Sequence, residues 1–459
     1  MDSQDAGNGL LTDLQGILSA VSDFLWGPPL IVMLLGVGLY LTFLLRGLQF
    51  TWLGHALFMG LIQRKERDGD GDISHFQALM TALSATVGTG NIVGVATAIM
   101  LGGPGAVFWM WMTGLVGMAT KFAEALLAVK YRYKDEKGNM VGGPMTYIVA
   151  IGPSPVWKWM AMAFALFAAI ASFGIGNMVQ SHSVADSLEG AFGLPRVWAG
   201  GVMAILTAAV ILGGIKWIGR VASAIVPVMI FGYVGASLYI LVTMVDQIPS
   251  VIGLIFNDAF TPAAGAGGFA WAALRWGVAR GVFSNESGLG SSPIAAAAAK
   301  TKEPVAQAMV SMTQTFIDTL VVCSMTAFVI LLTGANHNGL EGSQVTTSAF
   351  SSVLGSGVGE PLVALALVFF AYSTVLGWSY YGERATESLV GVGGILPYRL
   401  VYCGAVFVGA NLNLALVWTI CDITNALMAL PNLIALVMLS PIVRAETLGY
   451  INGGKWKNR

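Results

Sequence analysis

The chain has 459 residues, 56% of them hydrophobic and only 10% charged, with mean hydropathy +0.74 and a formal net charge of -1. Soluble globular chains carry about 25% charged residues, so the composition excludes a soluble domain and specifies a polytopic membrane protein. The near-zero net charge excludes a nucleic-acid role on electrostatic grounds.

The first residues, MDSQDAG, are acidic and lack the basic region of a secretory signal, so the first apolar stretch is expected to be retained. Apolar stretches of about 20 residues then recur, each long enough to cross the hydrocarbon core as a helix. Eleven are expected, spans 1 to 11 in chain order, at 28–45, 76–101, 104–127, 158–181, 197–213, 220–244, 269–298, 307–333, 359–382, 397–415 and 416–440. Cys323, Cys403 and Cys421 fall inside these stretches as buried small hydrophobes, with neither metal spacing nor a disulfide framework.

Span 2 carries Gly88, Thr89, Gly90 and Asn91 at its centre, where a helix should break. In a bilayer the freed N–H and C=O groups persist only where they are buried in protein or bind something. Span 7 has a second polar break, FSNESGLGSSP, from Phe283 to Pro293. Paired interruptions in the two halves of a chain point to the binding site of a secondary transporter.

Lys and Arg residues orient the spans. One set of loops holds Arg46, Arg64, Lys65, Arg67, Lys130, Arg132, Lys216, Arg220, Lys300, Lys302, Arg384, Arg399, Arg444, Lys455, Lys457 and Arg459, among others, while the opposite set holds Arg196 with Asp246, Asp258, Glu341 and Glu360. The expected orientation in the cell membrane therefore has the N-terminus outside and the C-terminus in the cytoplasm. With span 1 set aside, five plus five spans remain, each half led by its broken span, and an odd number per half inverts the second. The expectation is an all-α membrane protein with a leucine-transporter-type 5+5 inverted repeat and one extra N-terminal span. Its parts are 1–75 (extra span and amphipathic linker), 76–245 (first repeat), 266–441 (second repeat) and 442–459 (tail).

Residues 85 to 124, ATVGTGNIVGVATAI followed by GGPGAVFWMWMTGLVGMATKFAE, resemble the signature region of the alanine or glycine:cation symporters. The later runs GVFSNESGLGSSPIAAAAA and AYSTVLGWSYYGE are similar too, and the resemblance covers nearly the whole chain. It implies uptake of a small neutral amino acid, alanine or glycine, with Na+ as coupling ion and no organic cofactor. It also implies an ion site that joins the carbonyls of Ser84 and Val87 to those of Phe370 or Ala371 and to the hydroxyls of Ser373 and Thr374. Adjacent Ser and Thr in an apolar helix can instead bond back to their own helix carbonyls.

A zwitterion needs donors for its carboxylate and acceptors for its ammonium. Gly88, Thr89 and Gly90, just before a half-helix, suit the carboxylate through exposed N–H groups and the helix dipole. The competing reading is close helix packing through small residues. Asn91 would serve the substrate or the ion. In span 7, Ser284, Asn285 and Ser287 are candidates for the ammonium, and Phe283 for covering the substrate side chain. Gln180 in span 4 and Trp378 in span 9 are further candidate walls, against the bland alternatives of interhelical bonding and core filling. An apolar pocket separates ligands by only about 1–3 kcal/mol per methylene, so some promiscuity is expected.

Ionisable residues inside spans are functional candidates by default. Arg280 would belong to an external gate or pair with Glu286, while Glu286, Asp318 and Asp422 would be carriers if coupling were to protons. Lys121 and Glu124, three apart, are expected to satisfy each other. An ion channel is a weaker alternative, because the breaks do not repeat as a filter motif. No HExxH, GxxxxGK[ST] or Ser-His pairing supports an enzyme.

Overall fold

The computed structural model describes residues 3–64, 69–260, 271–412 and 415–454, and side chains from residue 13 onward except residue 415. Lys65, Arg67, Lys455, Lys457 and Arg459 of the basic set, and residues 266–270 of the expected second repeat, lie outside the described residues. Among the described residues, eight helices are long and apolar enough to cross a membrane, and a bent pair, His75–Thr86 with Gly90–Gly102, makes nine. The other two expected spans are the shorter helix Arg196–Ile211 (span 5) and the interrupted pair Trp271–Asn285 and Pro293–Ala297 (span 7).

Hydropathy located the spans but not the helices beside them. Ser3–Leu25 is a helix ahead of span 1, Leu53–Leu57 and Phe58–Gln63 are short helical turns in the linker, and Ile248–Phe260 and Ser343–Leu354 are helices between spans. The last helix runs to Asn452, past the expected end of span 11, because Val443, Thr447 and Tyr450 continue a buried face one turn apart. Span 1 (Pro28–Leu44) runs alongside span 11, with Trp26 donating to the Asp422 carbonyl (3.0 Å) and Tyr40 bonded to Ser440 (2.9 Å).

Span 3 (Ala106–Lys130) packs against spans 7 and 8, and span 9 (Ser356–Val390) packs against spans 2, 4 and 6. These two buried helices flank the two breaks, which is why polar groups on them can reach broken backbone. Wider π-helical turns interrupt span 2 at Gly90–Gly94, span 4 at Gly174–Met178 and span 8 at Phe316–Cys323. Such turns cluster at functional sites because they expose carbonyls and re-aim side chains.

Candidate functional site

Span 2 begins with a capping box, Ser74 and Gln77 each bonding the other's backbone N–H, and runs as helix to Thr86. Val87 leaves the helix at φ -77°, ψ 90°, and the axis resumes from Gly90 after a 51° bend. The freed amides are taken by side-chain oxygens. Gly88 N donates to Asn91 Oδ1 (2.9 Å) and Thr89 N to Gln180 Oε1 (3.3 Å). The fully buried Thr89 hydroxyl has no partner among the described residues. A Cβ on Gly88 would lie 2.4 Å from Thr374 Oγ1, so only glycine allows span 9 this close to the break.

The second break turns at Glu286 (φ 57°), Gly288 (φ 90°) and Gly290 (φ 80°). Glu286 is the costly member, since a non-glycine residue holds the left-handed region only when its surroundings fix it. Span 3 supplies that fixing. Glu124 Oε1 accepts from Gly288 N and Gly290 N (3.1 Å each) and from Asn432 Nδ2 (2.6 Å), while Lys121 Nζ donates to the Glu286 carbonyl (3.0 Å) and Ser292 Oγ (2.7 Å). Lys121 and Glu124, fully buried, also pair with each other at 3.7 Å, as their spacing suggested. Much of this break is therefore satisfied from within the protein.

The breaks face one another. A Cβ on Gly90 would lie 3.2 Å from both Phe283 Cδ1 and Ser284 Cα. Between them sits the buried carboxylate of Asp318, which accepts from Asn91 Nδ2 (2.8 Å), Ser284 Oγ (2.9 Å) and Thr319 Oγ1 (2.9 Å). Gly88, Thr89, Gly90, Asn91, Gln180, Phe283 and Ser284 are thus brought together. Asn285 and Ser287 turn elsewhere: Asn285 donates to Thr113 (3.3 Å) and Thr319 (3.1 Å), and Ser287 bonds Thr315 (3.0 Å). Trp378 lies against Gly176 of the span 4 π-turn.

Of the expected ion ligands, Ser84, Phe370, Ser373 and Thr374 lie together, with both hydroxyls bonding back to a carbonyl of their own helix. Ser373 Oγ donates to the carbonyls of Ser84 (3.3 Å) and Phe370 (2.9 Å), and Thr374 Oγ1 donates to Phe370 (3.0 Å). Val87 ends the first half of span 2, and Ala371 is buried beside Phe370. The donors are carbonyl and hydroxyl oxygens only, the chemistry a hard cation accepts. Sequence reasoning assigned neither the central place of Asp318 nor the part of Glu124 and Asn432 in holding span 7. The only sequence sign of them was a charge or amide inside an apolar helix.

A cavity of 730 Å³ opens at the end opposite the basic loops, lined by Val93, Gly94, Thr97, Arg280, Trp418 and Asp422, among others. Arg280 pairs with Asp422 (3.4 Å), not with Glu286, and lies over Phe283, whose ring stacks on Trp418 at 5.6 Å. The basic end is cross-linked by hydrogen bonds and ion pairs. The Arg132 guanidinium donates to the carbonyls of Ala297, Ala299, Asp70 and Thr301 at 2.6–2.8 Å. Arg384 bridges Asp135 (3.3 Å), Glu383 (2.6 Å) and Glu387 (2.6 Å). Burial raises the Asp135 carboxyl, but bonds from Asn139 and the Lys137 backbone, with the Arg384 charge, bring it below its ordinary range.

A model of the sodium:alanine symporter family matches residues 11–458. The chain belongs to that family. It is 50% identical over 443 residues to the sodium/alanine symporter AgcS of Methanococcus maripaludis, covering 95% of this chain and 97% of that one. It is 38% identical over 438 residues to a probable sodium/glutamine symporter, GlnT, of Bacillus subtilis, covering 94% and 89%. Among solved structures, MhsT in complex with L-phenylalanine matches with TM-score 0.56 at 14% identity, over 83% of this chain and 93% of that one. The fold is of the leucine-transporter type, as expected from the paired breaks. As a member of the sodium:alanine symporter family, the chain is a multi-pass membrane transporter that couples amino-acid symport to a cation.

Proposed function

We propose that the protein imports small neutral amino acids, alanine and glycine, with Na+ by alternating access, its N-terminus outside and its C-terminus in the cytoplasm of the cell membrane. The observation that carries this is the junction of the span 2 break with two oxygen sets. On one side the amides of Gly88 and Thr89 meet Asn91 and Gln180 while Gly90 lies against Phe283 and Ser284, and on the other the Ser84 and Phe370 carbonyls meet Ser373 and Thr374. Asn91 Oδ1 and Gln180 Oε1 occupy the amides a substrate carboxylate would take. Binding replaces two neutral acceptors with one anionic one and frees both side chains for the ligand or ion. A small substrate fits because Gly88 and Gly90 admit close approach while Phe283 closes one side.

Replacing NaCl by choline chloride at fixed pH tests the coupling ion. Alanine uptake into proteoliposomes is expected to collapse, and undiminished uptake would sink the sodium reading. The Ser373→Ala plus Thr374→Ala double variant removes two ion ligands and leaves the Gly88–Asn91 break intact. Its half-saturating Na+ concentration is expected to rise at least ~10-fold, from the loss of hydroxyl contacts to a charged group. Titrating Na+ at saturating alanine measures this, and an unaltered Na+ dependence would take both residues out of the ion site.

Asp318 favours a second reading. Its carboxylate sits between the breaks with neutral donors and no cationic partner among the described residues, a place where a bound proton would supply the missing charge compensation. In that reading uptake follows a pH gradient in the absence of Na+.

A further inference from the structure

Span 11 carries a polar side chain that neither break uses. Asn425 is 1% exposed, and both its Nδ2 and its Oδ1 lack a hydrogen-bond partner among the described residues. A carboxamide offers two donors and an acceptor, and burying it unpaired costs free energy at each atom. Leucine in its place would avoid that cost, so the amide needs a reason.

Its position supplies one. Trp418, Asn425 and Asn432 are seven residues apart, two helical turns, so all three share one face of span 11 at levels about 10 Å apart. Trp418 stacks on Phe283 at one level, and Asn432 bonds the Gly288 carbonyl (2.9 Å) at the other. Asn425 therefore stands level with the start of the span 7 break, between Phe283 and Gly288. Cys421, one turn before it, meets Gly174 so closely that a Cβ there would lie 2.0 Å from the thiol. The amide thus stands on a face hemmed by the span 7 break and by the π-turn that leads to Gln180.

We infer that the Asn425 carboxamide is a hydrogen-bonding wall of the amino-acid site, with its oxygen accepting from the substrate ammonium and its NH2 available to the carboxylate. The inference rests on the symport reading. It extends the site from spans 2, 4 and 7 to span 11, the helix that also carries Trp418 and Asp422. Substrate binding then ties the span that closes the outer cavity to the one that breaks.

Thermal unfolding of the full-length protein in detergent with NaCl tests this, with glycine, L-alanine and L-glutamine as probes. Asn425→Leu is expected to melt no lower than the wild type without amino acid, since it removes an unpaired buried amide. Its Na+ response should be unchanged, while its apparent Kd for the amino acid that stabilises the wild type best rises about tenfold or more. A Kd within twofold of wild type would overturn the inference. So would a lower melting temperature without amino acid, which marks Asn425 as a structural group. If Asn425→Leu does not express, Asn425→Ser is measured instead, with the same rise in Kd expected and the same twofold bound overturning it. A wild type that none of the three amino acids stabilises in Na+ would overturn the symport reading itself.

Discussion

Glu124→Ala is expected to yield little folded protein, because one carboxylate oxygen holds three donors, two of them backbone amides with no other acceptor among the described residues. Gly288 N, Gly290 N and Asn432 Nδ2 all converge on Glu124 Oε1, and Lys121 is left as a fully buried cation beside it. Removing one partner of a buried ion pair costs about 3–5 kcal/mol, since the remaining charge is uncompensated. The orphaned amides add to that. Net stabilities of ordinary domains are about 5–15 kcal/mol, so the variant approaches or crosses the unfolding threshold. Glu124→Gln separates the two contributions: its carbonyl oxygen still accepts from both glycine amides, and only the charge is lost. The expected order of melting temperature in detergent is wild type, then Glu124→Gln, then Glu124→Ala. Equal melting of the alanine variant and wild type would show that the span 7 turn does not depend on span 3.

The second large effect is at Asp318. Asp318→Leu strands Asn91 Nδ2, Ser284 Oγ and Thr319 Oγ1 in a dry interior, at about 1–3 kcal/mol for each unsatisfied group. Because two of these belong to the facing breaks, uptake is expected to fall at least ~100-fold, the rate equivalent of about 2.7 kcal/mol. Asp318→Asn keeps an acceptor for Asn91 and Ser284 and removes only the charge. In the sodium reading it retains Na+-driven alanine uptake within ~10-fold, about one interaction of 1.4 kcal/mol. In the proton reading, net uptake is lost while alanine exchange across the membrane persists. Measuring both in the same proteoliposomes distinguishes the two, and wild-type uptake by Asp318→Leu would remove Asp318 from the site.

Much of the site was legible because it follows from local rules. Gly-Thr-Gly-Asn cannot continue as a helix cheaply, and FSNESGLGSSP carries two glycines that reach left-handed φ, so both breaks were visible without any tertiary contact. The destinations of individual side chains were not. Asn285 and Ser287 looked equivalent to Ser284, yet the first two turn toward spans 3 and 8 and only Ser284 reaches Asp318. Ser284 and Asn285 end the helix Trp271–Asn285 and point about 100° apart around it, while Ser287 follows the left-handed turn at Glu286, which Lys121 and Glu124 brace from more than 160 residues earlier. The π-turns that aim Asn91 and Asp318 were equally hidden, because no residue pattern distinguishes an i+5 turn from an ordinary apolar helix.

By itself the sequence determined the membrane class, the places of the apolar spans, the one-sided distribution of positive charge and the two interruptions. Each of these is set by transfer energy along a short stretch of chain or by the backbone freedom of glycine. Only the tertiary structure decided that Asn91 and Asp318, 227 residues apart, share a hydrogen bond, that Glu124 holds the amides of the second break, and that both polar atoms of Asn425 are buried without a partner among the described residues. The reason is physical: a polar group in an apolar helix must be satisfied, but which distant group satisfies it is settled by packing between helices.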